Sequence, residues 1–230
     1  MKAEIMGGSF PVAIVELEQG QAVQCESGAM AWFNGGLKMY TNTGGGLFKM
    51  FGRWISGESI FLNRYVAEDG PGIISIAAHS PGEIRKVSLT PDKPILVQKG
   101  SFLAMDDGAD LSMFFQKKLK SGLFGGEGFV MNKMKGTGDV LLEIDGGAVE
   151  YDLEEGETLI IDTGYLVMMD ATCKLKAKLV KGLKNIIFGG EGLFNTHVTG
   201  PGHVIVQTMP LSRFTRMVRG IMKKIKKRGR

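Results

Sequence analysis

The sequence predicts an all-β protein that consists of three internal repeats and ends in one basic amphipathic helix. Three observations predict this class: short apolar runs recur at even spacing, glycine-rich turns separate them, and one segment matches the next without a gap. Glycine supplies 34 of the 230 residues, and these glycines fall in pairs and triplets between the apolar runs, as turn residues do. The hydrophobic content of 43% is ordinary for a globular chain that buries a core.

The internal match joins residues 87–144 to residues 151–208, where 16 of 58 aligned positions are identical. Both segments contain the phrase FGGEG, at 124–128 and at 188–192. A looser third copy lies at the N-terminus, where FGRWISGESIF is the same phrase with four inserted residues. We therefore expect one β domain over 1–210, divided into repeats of about 15–86, 87–150 and 151–210. Residues 211–230 form a separate basic tail.

Each repeat contains segments with the pattern of short strands. CKLKAKL (173–179) alternates apolar residues with lysine, the period-2 pattern of a half-buried strand. DVLLEI and HVIVQT follow Gly-x-Gly turns, and TLIID and YLVMMD flank a hairpin-like break at Thr163-Gly164. Three equivalent β units can close around one axis and cover each other's edges. The expected fold is therefore a pseudo-threefold barrel, with a helical turn left open around 117–123 and 181–187.

The repeated glutamates Glu58, Glu127 and Glu191 are the candidate metal site, because threefold symmetry would bring their carboxylates into a ring. The alternative is that each caps backbone N–H groups at its own corner. His197 and His203 flank a Gly-Pro-Gly turn, where a hairpin would place them opposite each other, but two histidines alone do not make a zinc site. Five methionines in or beside strands, like the two cysteines, are expected mainly to fill the core.

Catalytic and targeting signals are missing from the sequence. It contains no G-x-S-x-G and no H-E-x-x-H motif, so we expect no enzyme activity and no cofactor. The N-terminus MKAEIMGGSF lacks the apolar core of a signal peptide, and no uncharged apolar run approaches the ~18 residues of a membrane span. With two cysteines that lack a C-x-x-C spacing, these features favour a cytoplasmic location.

The tail carries the strongest functional signal. It holds nine Lys/Arg and no acid, whereas residues 1–210 hold 19 basic and 24 acidic residues, a net charge of −5. At 100° per residue, Phe214 and Ile221 lie in one apolar arc, and Arg216, Lys223 and Lys227 lie opposite. Such a helix binds an anionic membrane or an acidic protein partner, docks on the acidic β body or a neighbouring subunit, or contacts nucleic acid.

FGGEGLF (188–194), the Gly-Pro-Gly turn at 200–202 and VQTMP (206–210) resemble one known family. It comprises proteins of unknown function related to a mitochondrial biogenesis protein of the "altered inheritance of mitochondria" group. The resemblance implies a β fold similar to the trp RNA-binding attenuation protein, a short double-stranded β-helix variant. It carries no catalytic residues to transfer, and its mitochondrial members imply a role in membrane organisation.

These observations together predict a non-enzymatic binding or scaffolding protein that forms homo-oligomers, in an assembly or at a membrane surface. One alternative is an RNA-binding module, favoured by the implied fold and the basic tail. A further alternative is a metal or small-ligand site at the pseudo-threefold axis. The apolar loop 47–55, with Trp54, is either core or a second contact surface.

Overall fold

The computed structural model describes residues 1–41, 62–117, 129–179 and 194–228. Within these ranges the chain forms nineteen strands and one α-helix, so the predicted all-β class is correct. The apolar loop 47–55 and the predicted helical turns after Lys117 and after Lys181 lie outside the described residues.

The strands follow one another at short intervals along the whole chain. The first seven are β1 (Lys2–Met6), β2 (Val12–Leu17), β3 (Ala22–Glu26), β4 (Met30–Phe33), β5 (Leu37–Thr41), β6 (Leu62–Ala67) and β7 (Gly72–Ala77). The next six are β8 (Gly82–Leu89), β9 (Ile95–Gln98), β10 (Phe102–Asp106), β11 (Ala109–Lys117), β12 (Phe129–Gly136) and β13 (Gly138–Asp145). The last six are β14 (Ala148–Leu153), β15 (Thr158–Asp162), β16 (Leu166–Asp170), β17 (Lys174–Leu179), β18 (Phe194–Thr199) and β19 (Gly202–Gln207). Helix α1 (Leu211–Arg228) follows β19.

Side-chain patterning explains the strands that the sequence predicted. In β17 the lysines at 174, 176 and 178 are exposed while Leu175 is half-buried, as period-2 alternation requires for an edge strand. In β13, by contrast, residues 140–144 are all buried, because a central strand is covered on both faces. The alternating segment and the continuous apolar segment thus both form strands, and they differ in their position in a sheet.

The strands form four antiparallel sheets. Two sheets have six strands, in the orders β5-β6-β3-β10-β13-β8 and β11-β12-β9-β16-β19-β14. The others have the orders β1-β2-β7-β4 and β15-β18-β17. The predicted barrel is wrong for the described part of the chain, because each of these sheets is open and ends on two edge strands. Many consecutive strands lie in different sheets, as β15 and β16 do, while others, such as β5 and β6, are neighbours in one sheet.

Two local predictions, the hairpin at Thr163-Gly164 and the pairing of His197 with His203, are wrong because the strands involved lie in different sheets. Residues Thr163–Tyr165 form one 3-10 turn, and β15 and β16 on either side of it belong to different sheets, so this break is not a hairpin. Likewise, β18 carries His197 in one sheet and β19 carries His203 in another. The two histidines therefore do not face each other across a hairpin.

Three apolar clusters form the core of the described residues, and distant parts of the chain contribute to each of them. They are centred on Tyr65 and Ile74, on Phe102 and Val140, and on Phe129 and Val204. The methionines follow the core-filling prediction, since five of them are buried: Met105, Met131, Met134, Met168 and Met169.

Both cysteines are buried and free, as expected of small apolar residues. Burial raises the pKa of the Cys25 thiol to about 12. It also raises the pKa of the Cys173 thiol. A reactive cysteine needs a thiolate near neutral pH, so neither thiol has the character of a nucleophile.

Candidate functional site

Helix α1 begins directly after Pro210, where its first N–H groups find acceptors. The backbone N–H groups of Arg213 and Phe214 donate to the carbonyl oxygen of Pro210 at 2.8 and 3.1 Å. The N–H of Leu211 donates to the Asp145 carboxylate at 2.6 Å. Since first-turn N–H groups lack partners within a helix and carry partial positive charge, a carboxylate there satisfies a donor and complements the helix dipole. The start of the helix is thereby fixed on the β body.

Asp145 is itself held by residues from other strands and turns. Its backbone N–H donates to Oε1 of Gln207 at 3.0 Å, and Nε2 of Gln207 donates to the carbonyl oxygen of Gly164 at 2.9 Å. The hydroxyl of Ser80 donates to the Asp145 carboxylate. Because Gln207 is buried, its side-chain amide has lost its hydrogen bonds to water, and the bonds to Asp145 and Gly164 replace them. These bonds also fix the position of Asp145, which holds the start of the helix.

Glu143 is a buried carboxylate beside Asp145, and it accepts four hydrogen bonds. Its Oε1 accepts from the backbone N–H groups of His79 and Ser80 at 2.8 and 2.9 Å and from the Ser80 hydroxyl at 3.0 Å. Its Oε2 lies 2.8 Å from Nδ1 of His79. Burial opposes ionisation of Glu143, but the hydrogen bonds from His79 and Ser80 hold its pKa below the ordinary value. The bond to Glu143 raises the pKa of His79, against partial burial.

Serine, histidine and carboxylates therefore meet in one cluster, which we call the anchor network: His79, Ser80, Glu143, Asp145 and Gln207. In a nucleophilic triad the histidine accepts the serine proton. Here the Ser80 hydroxyl shares its one proton between the Glu143 and Asp145 carboxylates, and His79 also binds Glu143. The arrangement binds the turn before β8 to the ends of β13 and β19, and it acts as a structural support for the helix.

A second contact steadies the first turn of α1. The Arg213 guanidinium donates to the hydroxyl of Tyr165 and lies 5.8 Å from the centre of the tyrosine ring. This combines a hydrogen bond with a cation–π contact, worth about 0.5–1 kcal/mol at an exposed site. The contacts of Leu211 and Arg213 with the β body thus both come from the first three residues of the helix.

Beyond this first turn the apolar side of α1 is uncovered. The exposed fraction of its apolar side chains runs from 37% for Val218 to 64% for Met222. Six residues share this property and form what we call the apolar face: Leu211, Phe214, Met217, Val218, Ile221 and Met222. The described β body therefore does not cover the apolar face.

The predicted basic contacts also belong to this helix. Arg216, Lys223 and Lys227 lie within α1, but their side chains lie outside what the structure describes. The first turn holds no acidic residue. The predicted contacts Phe214 and Ile221 are brought together on one element, and both belong to the apolar face.

The predicted glutamate ring has no described counterpart. Glu58, Glu127 and Glu191 all lie outside the described residues. Within 1–41, 62–117, 129–179 and 194–228, no group of three or more His, Cys, Asp or Glu residues is placed to hold a metal ion. In the same ranges, no helix is long and apolar enough to cross a membrane.

Sequence reasoning missed a set of corner residues, namely Asn34, Asp106 and Asp170. Each side chain accepts one backbone N–H from a later strand of the chain: Asn34 from Ile73 at 2.9 Å, Asp106 from Asp139 at 2.7 Å and Asp170 from His203 at 2.9 Å. The gapless match already paired Asp106 with Asp170, so that signal was present. Asn34 was not found because the first copy aligns only loosely.

The anchor network was missed as well. Its signal was the alignment of Glu143 with Gln207 at the same repeat offset, two polar residues in otherwise apolar strands. A buried polar residue at the end of an apolar strand predicts a specific acceptor role. Nothing in the sequence names its partners, which come from turns far along the chain.

Fold and site together define an all-β protein of open antiparallel sheets that presents an amphipathic helix. The chain belongs to the mitochondrial biogenesis AIM24 family, whose model matches residues 3–209. It is 32% identical over 214 residues to an uncharacterized protein of Streptococcus pyogenes serotype M6, covering 89% of this chain and 84% of the relative. A structural-genomics crystal structure of a Streptococcus pyogenes protein superposes with a TM-score of 0.80 at 27% identity, covering 96% of this chain and 99% of that one.

Proposed function

We propose that the protein is a non-enzymatic scaffold that attaches to an anionic membrane surface through helix α1. One observation carries the proposal: Phe214, Met217 and Ile221 are exposed along one side of a helix whose segment, 211–230, holds nine basic residues and no acidic one. A helix with separate apolar and basic sides lies in the membrane interface, with its apolar side below the headgroups.

The energetic terms agree in direction. Insertion of apolar surface contributes about 25 cal/mol per Å² removed from water. Each Lys or Arg near an anionic surface adds about 1 kcal/mol. The β body has a net charge of −5 and is repelled by the same surface, so the attraction is confined to the helix. The anchor network and the Arg213–Tyr165 contact then hold the body beside the bound helix.

The scaffold proposed here is a row of three equivalent units, β2–β7, β8–β13 and β14–β19. In each unit the first, sixth and third strands are neighbours in that order, and so are the fourth, fifth and second. These units cover 12–77, 82–145 and 148–207, and they start three to five residues before the boundaries inferred from sequence. The recurring strand order supports a threefold repeat of one unit of the double-stranded β-helix kind.

Two finer features recur at the same place in each unit. The third strand carries a bulge between Met30 and Trp32, between Phe102 and Ala104, and between Leu166 and Met168. The corner residues also recur at the end of these strands. Asn34 directly follows β4, and Asp106 and Asp170 are the last residues of β10 and β16. Since bulges are specific local features, their repetition at one position supports descent from one unit.

The proposal keeps the cytoplasmic location expected from the sequence. The buried free thiols of Cys25 and Cys173 agree with a reducing compartment. Membrane organisation, which the resemblance to mitochondrial members of the family implies, is the setting in which an anchored scaffold would act.

Cosedimentation with vesicles tests the membrane role. The full chain is mixed with phosphatidylcholine vesicles, with and without phosphatidylserine, at low and high salt. We expect sedimentation with the anionic vesicles that weakens at high salt. The double variant Phe214→Ser/Ile221→Ser should stay in solution, while Phe10→Ser, which changes an exposed phenylalanine far from α1 in the sequence, should behave as the parent.

Two outcomes would overturn the membrane role. One is equal sedimentation of the parent and the Phe214→Ser/Ile221→Ser variant. The other is no sedimentation of the parent with either vesicle, and retention of a labelled RNA in its place would then favour the nucleic-acid alternative.

A further inference from the structure

Neighbouring units are joined by one kind of strand pairing, which we call a seam. In a seam the second strand of one unit pairs with the third strand of the next, and this occurs twice: β3 with β10, and β9 with β16. The registers are equivalent, since Gln24 opposes Met105 in the first seam and Leu96 opposes Met169 in the second. Each seam merges half-sheets from two units into one six-stranded sheet.

Among the described residues, the two strands that would form a third seam each pair with a neighbouring strand on one side only. β15 is the second strand of the last unit, and β4 is the third strand of the first. Within the described residues, each lies at an edge of its own sheet. An edge strand presents a row of backbone N–H and C=O groups to any strand of matching register.

Side-chain exposure marks the same two strands. Trp32 and Phe33 on β4 are 53% and 40% exposed, and Ile160 on β15 is 59% exposed. Their counterparts inside the seams, such as Met168, Met169 and Leu96, are at most 2% exposed. In the seam between β9 and β16 these places are thus core, and at the open edges they are exposed apolar surface. In the seam between β3 and β10 the place of Leu96 is taken by Gln24, which is half-buried.

We propose that β15 of one molecule pairs with β4 of a second copy and forms the third seam between chains. If the third seam has the register of the two internal seams, Ile160 lies opposite Phe33, and Ile161 lies opposite Trp32. The inference deepens the proposed scaffold role and rests on its three-unit architecture. The contact joins two different surfaces, so it is heterologous, and it generates a ring or a filament of chains.

The occupant is indicated by the internal seams themselves. In both internal seams, the partner of a second strand such as β15 is a third strand such as β4. Every copy of the chain carries both of these strands. Within one molecule β4 and β15 belong to separate sheets and do not pair. A second copy therefore supplies the missing strand to each edge.

Cysteine cross-linking of two single variants tests the register. Phe33→Cys and Ile160→Cys chains are prepared separately, mixed under reducing conditions and then oxidised. We expect a disulfide-linked dimer in the mixture and not in either variant alone, because only the mixture places cysteines on both strands of one seam. Phe33→Cys mixed with Ile161→Cys is the matched control, since neighbouring strand residues face opposite sides.

The double variant Phe33→Cys/Ile160→Cys separates the alternatives. If its disulfide forms within one chain and the mixture gives no dimer, the row of units closes on itself and the proposal is wrong. No disulfide in either preparation would equally overturn it. The native thiols of Cys25 and Cys173 are buried, so they do not compete in this reaction.

Molar mass in solution gives an independent result. Ile160→Lys places a charge at the seam and should reduce the oligomer to the monomer mass, while Phe114→Lys, at a similarly exposed residue of edge strand β11, should leave the mass unchanged. Ile160→Lys should still sediment with anionic vesicles, and Phe214→Ser/Ile221→Ser should keep the oligomer mass. A monomeric parent contradicts the seam alone, whereas loss of vesicle binding contradicts the membrane role alone.

Discussion

The seam between β9 and β16 and the open edges of β4 and β15 are made from strands of the same kind. At the seam, Leu96 and Met169 oppose each other and are buried. At the open edges, Ile160 and Phe33 hold the corresponding places and are exposed. The difference is not in residue type, since all four are apolar. Each unit needs a neighbour to cover its edges, so the burial of these residues depends on whether another unit lies beside the strand.

Apolar strands at the edge of a sheet favour association with another strand unless something covers them. Terminal units of arrays without oligomers usually carry polar caps, because an uncovered apolar edge favours association. Here β1 covers the outer side of β2, whereas β4 and β15 have no such cover within the described residues. In the described part of the chain the outer edges of β4 and β15 therefore stay open.

The largest difference in the free energy of unfolding is expected between two lysine variants, one in the seam between β9 and β16 and one at the open edge of β4. Met169→Lys buries an unpaired charge and should reduce the free energy of unfolding by more than about 3 kcal/mol. Phe33→Lys removes an edge-to-face contact with Tyr65, whose ring centre is 5.5 Å away, and should cost about 1 kcal/mol. Urea denaturation at a concentration where both variants are monomeric measures the difference. Equal losses in the two variants would show that the seam and the edge are not different environments.

A smaller effect is expected at the glycine turns. Gly138 has φ of +107°, and a Cβ there would lie 2.6 Å from Cβ of the corner residue Asp106. Gly156 has φ of +83° but no neighbouring atom within 4 Å of that position. Gly138→Ala should therefore cost about 2 kcal/mol or more, from strain and collision together, and Gly156→Ala about 1 kcal/mol from strain alone. Thermal unfolding of the two variants side by side checks the order, and a larger loss for Gly156→Ala would contradict the close corner.

The smallest expected effect is on the pH dependence of stability, and it compares two turns. The turn before β8 is held by the charged pair His79 and Glu143, while the turn before β14 is held by the neutral Gln207. The pKa of His79 is raised in the folded protein, so its stabilising contribution is fully present below the unfolded pKa of about 6.5 and is lost as pH rises through the folded pKa. The pKa of Glu143 is lowered, so its contribution is present above the unfolded pKa and is lost as pH falls through the folded value.

Chemical denaturation near pH 6 and near pH 8.5 tests this linkage. Because the His79 ring is partly exposed, we expect the parent to lose no more than about 1 kcal/mol over this interval. Glu143→Gln, which copies the residue at 207, should lose less over the same interval. A variant with the same pH dependence as the parent would show that another group is responsible.

Several elements could be predicted because their signal is local. CKLKAKL forms β17, DVLLEI lies in β13, and the tail pattern predicted both an amphipathic helix and the two apolar residues, Phe214 and Ile221, that lie exposed on it. The gapless match also aligned Asp106 with Asp170, whose side chains accept equivalent hydrogen bonds, although no role was predicted for either residue. In each case the information lies within a few residues or in a comparison of aligned positions.

Other elements could not be predicted because they depend on distant partners. A hairpin at Thr163-Gly164 fits the local sequence, yet β15 pairs with β18 and β16 pairs with β9 and β19. The carboxylate of Glu143 finds its donors more than 60 residues away, at His79 and Ser80. Local propensity does not choose between two antiparallel partners of similar pattern, so pairing is decided by the packing of the whole chain.

The sequence by itself determined the strand segments and the apolar and basic sides of the tail, because periodicity, glycine placement and charge are properties of short segments. Only the tertiary structure decided which strands share a sheet, which polar residues hold the start of α1, and which apolar residues stay exposed. The reason is that the burial of a side chain depends on which other parts of the folded chain lie beside it. Leu96 and Ile160 are interchangeable as residues, but one has a neighbouring unit within its own chain and the other does not.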